Sequence, residues 1–135
     1  MQLLEHYNQK LLLALGEAIV GNKDVNNWFM RNNYWELSAF AACIRGDVSA
    51  NKWLLDNGFP AWSALDYCID NNANARKWLE RYNYNLEITF ADACNHDTKA
   101  AQYLYDNNHK VLLVLSDKIN HFRDNMIYDP HKLHF

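Results

Sequence analysis

Residues 46–59 read G-D-V-S-A-N-K-W-L-L-D-N-G-F, and within these fourteen positions lies one complete short helix with its own start and stop signals. Asp47 is an N-cap residue, a short side chain whose oxygen accepts from the unpaired N–H groups of a first helical turn. Ala50, Trp53 and Leu54 then follow at i, i+3, i+4, which is one face of an α-helix. Gly58 closes the segment, because glycine takes the left-handed conformation that ends a helix at no steric cost. The same pattern stands 25 residues away in both directions: Trp28, Trp53 and Trp78 are equally spaced and Tyr103 continues the series. In register with them run Val25, Ala50, Ala75 and Ala100, then Phe29, Leu54, Leu79 and Leu104. Asn22, Asp47, Asn72 and Asp97 form one cap column, and Asn33, Gly58, Asn83 and Asn108 form the column that closes the helix.

Between these segments a second helical stripe repeats with the same period, through Leu15, Phe40, Leu65, Phe90 and Leu115 and through Ile19, Ile44, Ile69, Cys94 and Ile119. Each unit is therefore a pair of short helices that buries its apolar face only by stacking on its neighbours. The phase extends to Leu3, Leu4 and Asn8, which fall on the columns of Trp28, Phe29 and Asn33. The expected organisation is a single repeat domain over 1–135. A capping helix occupies 1–9, repeats cover 10–35, 36–60, 61–85 and 86–110, a final helix covers 111–123, and a tail runs over 124–135. The fold class is all-α, an α-solenoid of short antiparallel helix pairs. The tail holds Met126, Ile127, Tyr128, Leu133 and Phe135, enough apolar surface to fold back as a cap or to serve as a short binding motif.

Composition agrees with this reading and narrows the function. A chain of 135 residues, half of them apolar, closes one core, yet its mean hydropathy is −0.44 and it contains 18 Asn, which the cap columns partly explain. A net charge of −3 and a pI near 6.0 supply no basic field for phosphates, so nucleic acid is not an expected partner. Three Cys without a C-x-x-C point to a reduced, cytoplasmic setting rather than a disulfide framework or a thiolate zinc site. The run Leu11–Val20 has the look of a signal-peptide core, but it is a repeat helix in register, and no stretch approaches the roughly 18 apolar residues of a membrane span. No phosphate loop, nucleophile elbow or paired-carboxylate signature is present, and no cofactor is expected.

Gly46–Phe59 resembles the second helix of an ankyrin repeat, whose pattern is close to G-H-x-E-V-V-K-L-L-L-E-x-G-A. Ala42 and Cys43 precede it where that family has an A-A pair, and Ser63, Ala64 and Leu65 stand where it has T-P-L, with Asp66 in place of its His. Ankyrin units run 33 residues and end in a β-hairpin finger, whereas this period is 25 and its loops, such as Phe59–Ala61, are a few residues long. The resemblance implies ankyrin-like repeats lacking full β-hairpin fingers, no catalytic residues, and recognition of another protein through the inner helix surface.

The charges sort by helix. First helices carry Glu17, Asp66, Asp70, Glu87, Asp92 and Asp117 against Arg45 and Lys118, while second helices carry most of the Lys and Arg. If first helices line a concave side, Glu17, Arg45, Asp66, Tyr67, Asp70, Asp92, Asn95 and Asp117 make a polar, acidic strip that would steer a partner protein with a basic surface. The same charges also suit a plain solvated face. The Trp28, Trp53, Trp78 and Tyr103 column reads as core. Trp35 and Trp62, with Phe59, Tyr34 and Tyr84, sit near the loops, either as contact anchors or as covers of the repeat ends. His96 and His121 are one period apart, and with Cys94 they raise an alternative, a small metal-binding or hydrolytic protein. Histidines at a helix end need no such role, however, and residues two apart on a helix, such as Cys94 and His96, do not face each other. The expectation is a non-enzymatic, cofactor-free protein-binding module, with an immunity or inhibitor protein that masks a toxin as its specific form.

Overall fold

In the computed structural model, which describes residues 3–128, the two cap columns act as their chemistry dictates. Asn22, Asp47, Asn72 and Asp97 each accept from backbone N–H groups of the turn that follows. At the other ends, left-handed backbone falls on Asn33, Gly58, Asn83 and Asn108 and, after the first helices, on Gly21, Gly46, Asn71 and His96. Each of these eight turns is closed by a bond from the next N–H to the carbonyl five residues back, as in Phe59 N to Leu54 O at 2.8 Å. A third Asn column adds to them: the Nδ2 groups of Asn32, Asn57 and Asn107 each donate to the carbonyl four residues earlier at 2.8 Å.

The caps delimit α1 (Gln9–Ile19), α2 (Lys23–Arg31), α3 (Trp35–Ile44), α4 (Val48–Asp56), α5 (Pro60–Ile69), α6 (Ala73–Arg81), α7 (Asn85–Ala93), α8 (Thr98–Asp106) and α9 (Lys110–Tyr128). The described residues form no strand. The architecture is all-α and built of short helix pairs, as the period implies. No described helix is long and apolar enough to cross a membrane.

The array bends until it meets itself. Each odd-numbered helix packs on the next, α1 on α3, α3 on α5, α5 on α7, α7 on α9, and α9 then packs on α1. Five first helices thus form a closed inner ring. The even-numbered helices form the outer layer, each seated over one junction: α2 over α1/α3, α4 over α3/α5, α6 over α5/α7 and α8 over α7/α9. The ring interior and the ring-to-outer interface are one apolar core, in which Leu15, Phe40, Leu65 and Phe90 and the outer-helix residues Phe29, Leu54, Leu79 and Leu104 are fully buried.

Three expectations change. The Trp column is not core: Trp28 and Tyr103 are 42% and 50% exposed, and Trp53 and Trp78 are half-buried. Helical spacing admits either of two adjacent columns to the buried stripe, and the column one residue later takes it. The Trp rings lie on the flank instead and stack on the aromatic residue of the following loop: Trp28 on Tyr34, Trp53 on Phe59 and Trp78 on Tyr84, all with centroids within 6 Å and planes within 13°. The expected capping helix over 1–9 is a single 3-10 turn, Leu4–His6, which lies at the ring mouth because closure leaves no open end to cap. The last helix, expected to stop at 123, continues through Tyr128. The remaining tail, 129–135, with the folding-back or motif role expected of it, lies outside the described residues.

Candidate functional site

Because the outer helices pack on the ring rather than on one another, a groove runs between neighbouring outer helices, floored by a first helix. The groove between α2 and α4 is floored by Trp35, Ser38, Ala39 and Ala42, walled by Met30 and Trp53, and offers about 460 Å³. One period on, the groove between α4 and α6 repeats it position for position, with Pro60, Ser63, Ala64 and Tyr67 as floor and Leu55 and Trp78 as walls, in about 280 Å³. Met30, Trp35, Leu55 and Tyr67 are all exposed, so both grooves present apolar surface to solvent. Between α6 and α8 the position of Tyr67 is taken by Asp92, which Arg76 holds bidentately at 2.7 and 3.1 Å while also reaching Glu80 at 3.5 Å. The lining therefore changes from apolar to one cation against two carboxylates around the ring.

The strip expected from the sequence divides among three places. Glu17, Tyr67, Asp92 and Asp117 share one column, each on a different helix; Tyr67 and Asp92 fall on groove floors, whereas Glu17 and Asp117 lie on α1 and α9, each flanked by a single outer helix. Glu17 is held by Lys118 across the α1/α9 junction, and Asp117 is exposed. Arg45, Asp70 and Asn95 sit at the mouth where the first helices end. There Arg45 Nη1 donates to Ile19 O at 2.9 Å and covers the Phe122 ring, and Asn95 Nδ2 donates to Ile69 O at 2.9 Å. Arg123 donates to the Ile69 and Cys94 carbonyls and pairs with Asp70 at 3.3 Å. Convergent helix C-termini carry partial negative charge, which the donors of Arg45, Asn95 and Arg123 answer, Arg123 also pairing the carboxylate of Asp70. Closure turns the inward side of the first helices to the core, so no concave strip is formed.

Two expected contact residues are removed from any surface. Asp66 is 7% exposed and accepts from Asn51 Nδ2 at 2.9 Å; burial pushes its carboxyl up to about 6, and the Asn51 bond opposes that shift. Trp62 is 1% exposed, packed on Phe40 with centroids 4.7 Å apart, because its column is the inward one of Leu12, Leu37 and Leu112. Trp35, by contrast, stays exposed in its groove.

At the opposite mouth, where the first helices begin, the N-terminal segment lies across the ring. Leu4 N donates to Glu87 Oε2 on α7 at 2.8 Å, and Tyr7 OH donates to Glu36 Oε2 on α3 at 2.8 Å. Trp62 Nε1 on α5 donates to Tyr7 OH at 3.3 Å. Glu87 is fully buried, and burial pushes its carboxyl upward. The sequence held a signal for it, a carboxylate in the otherwise apolar column of Leu12, Leu37, Trp62 and Leu112. Met30 and Leu55, the groove walls, were likewise legible as apolar residues off the core stripe.

The histidines and Cys94 do not assemble. His96 Nε2 lies 3.3 Å from Asp124, His121 lies 3.1 Å from Asn125, and Cys94 is buried with its thiol pushed strongly upward by desolvation. Among the described residues no group of three or more His, Cys, Asp or Glu could hold a metal ion. No known family model matches the chain, and comparison with curated proteins and with solved structures gives no match.

Proposed function

We propose that this chain is a non-enzymatic protein-interaction module that takes apolar side chains of a partner protein into the two grooves beside α4. The observation that carries this reading is the repetition of one groove, with exposed Trp35 and Met30 in the first and exposed Tyr67 and Leu55 in the second. Aromatic anchors at the centre of such contacts contribute most of the binding energy. Further round the ring, Glu80 and Asp92 outnumber Arg76, and Asp117 lies exposed beyond them, which favours a partner with basic residues beside its apolar anchors. The ankyrin-like pattern supports the same kind of use, and three buried free thiols suit a reducing, cytoplasmic setting.

The test is affinity capture from the native host with the wild-type chain and with Trp35→Ala, Tyr67→Ala and Leu13→Ala, the last exposed on α1 away from both grooves. A captured protein is then purified and titrated against each variant. The expected result is a loss of roughly thirtyfold in affinity for the two groove variants and none for Leu13→Ala. A partner that binds all three as tightly as wild type overturns the reading.

A further inference from the structure

The segment that crosses the N-terminal mouth is held as a bound peptide would be. It belongs to none of the α-helices among the described residues, and its anchors lie on three different ones: Glu36 on α3, Trp62 on α5 and Glu87 on α7. One anchor takes a backbone N–H, which any peptide possesses, and a second takes the hydroxyl of Tyr7, whose ring meets that of Trp62 edge-on at 5.6 Å. Leu4, three residues before Tyr7, is 1% exposed. Two side-chain seats and one main-chain acceptor thus define a spacing, an apolar residue followed at the third position by tyrosine.

The receiving side is only partly satisfied. Glu87 is completely buried, its Oε2 takes Leu4 N, the nearby Leu3 N–H also favours its charged form, and its Oε1 has no hydrogen-bond partner of ordinary geometry among the described residues. Buried carboxylate oxygens without a donor are costly, and packing does not require one here, since the other four first helices place Leu or Trp at this position. A crevice of about 120 Å³ also remains beside the segment, against the α8–α9 turn. These features belong to a receptor for peptide more than to a plain core.

We propose that the N-terminal mouth is a peptide-binding site that the chain's own Leu4–Tyr7 occupies in cis, and that a partner segment with an apolar residue three positions before a tyrosine takes its place in trans. The site is separate from the outer grooves and does not depend on their use. A tethered segment has an effective concentration on the order of millimolar, so the cis occupant competes with any free peptide and sets the threshold for its displacement.

The probe is a fluorescent synthetic peptide with the sequence of residues 3–8, titrated by anisotropy into the full wild-type chain and into the full chain carrying Leu4→Ala and Tyr7→Ala. The expected result is binding at least tenfold tighter to the variant than to wild type, and none to either by the same peptide with its tyrosine replaced by alanine. A folded variant that binds no better than wild type overturns the proposal. Should the variant fail to fold, the wild-type chain decides alone: unlabelled peptide at several millimolar shifts the Trp62 indole N–H resonance if the cis segment is displaced, and an unmoved resonance overturns the proposal.

Discussion

Lys118 on the last helix lies across Gly16 on the first: a Cβ at Gly16 would stand 2.8 Å from Lys118 Cδ and 3.5 Å from Leu115 Cδ1. The same column holds Ala41, Asp66, Ala91 and Ser116 elsewhere, so the glycine marks the junction at which the ring closes. The Lys118 side chain is flexible and can swing clear of one methyl group, and alanine is the better helix former by up to about 1 kcal/mol. Gly16→Ala should therefore change stability by less than about 1 kcal/mol. Gly16→Leu overfills the junction and should cost about 1–3 kcal/mol. Urea unfolding checks both, and a leucine variant as stable as wild type would show that α1 and α9 need not touch.

Asp66 gives stability a pH dependence of unusual sign. Its carboxyl titrates at about 6 in the folded chain against 3.8 when free. The folded state therefore binds the proton more tightly, and the stability this contributes is present below about 4 and lost as pH rises through 6. Asp66→Asn stays neutral and still offers an oxygen to Asn51. The stability of Asp66→Asn relative to wild type should rise by about 2–3 kcal/mol between pH 4 and pH 8, read from urea midpoints at each pH. An unchanging difference across that range would exclude a buried, proton-binding Asp66.

In each outer helix the smaller apolar residue should matter more than its larger neighbour. Leu54 is fully buried while Trp53 is half-buried and stacked on Phe59. Leu54→Ala should cost about 2–5 kcal/mol. Trp53→Ala forfeits a stack and partial burial and should cost under about 2 kcal/mol. The reverse order in thermal or urea unfolding would return the tryptophans to the core.

Arg123 ties α9 to the ends of α5 and α7 through the Ile69 and Cys94 carbonyls. Arg123→Ala leaves those carbonyls without that donor, a loss of about 1–3 kcal/mol. Hydrogen exchange should quicken first in the last turns of α5 and α7, while α2, which Arg123 does not touch, keeps its protection. Equal acceleration across the chain would indicate a global rather than local role.

The sequence made the helices and caps legible because those effects act over a few residues. An Asn or Asp side chain bonds within its own turn, and the 25-residue period multiplies that signal. Closure was not legible in the same way. It depends on a curvature that accumulates over five units, and only Gly16, a glycine in an otherwise ordinary helix, hinted at it. The column of Glu17, Tyr67, Asp92 and Asp117 is legible from the period, but its separation from Arg45, Asp70 and Asn95 is not, because the ring's mouth exists only once the array has closed. Trp53 and Leu54 both satisfy helical spacing, and only packing separates them. Glu87 lies in an otherwise apolar column, but its partner is 83 residues away in Leu4, beyond the reach of any local pattern.

In an open stack of repeats, stability accumulates unit by unit, and one unit can be gained or lost at modest cost to the rest. A ring offers no such freedom. Glu17 and Lys118 meet across 101 residues of chain, so α1 finds its partner only after every intervening unit has set its angle. Deleting one 25-residue unit would part the two helices or force a new curvature on all the others. The number of units is thereby tied to closure, and a change of length is least disruptive in the short turns between helices.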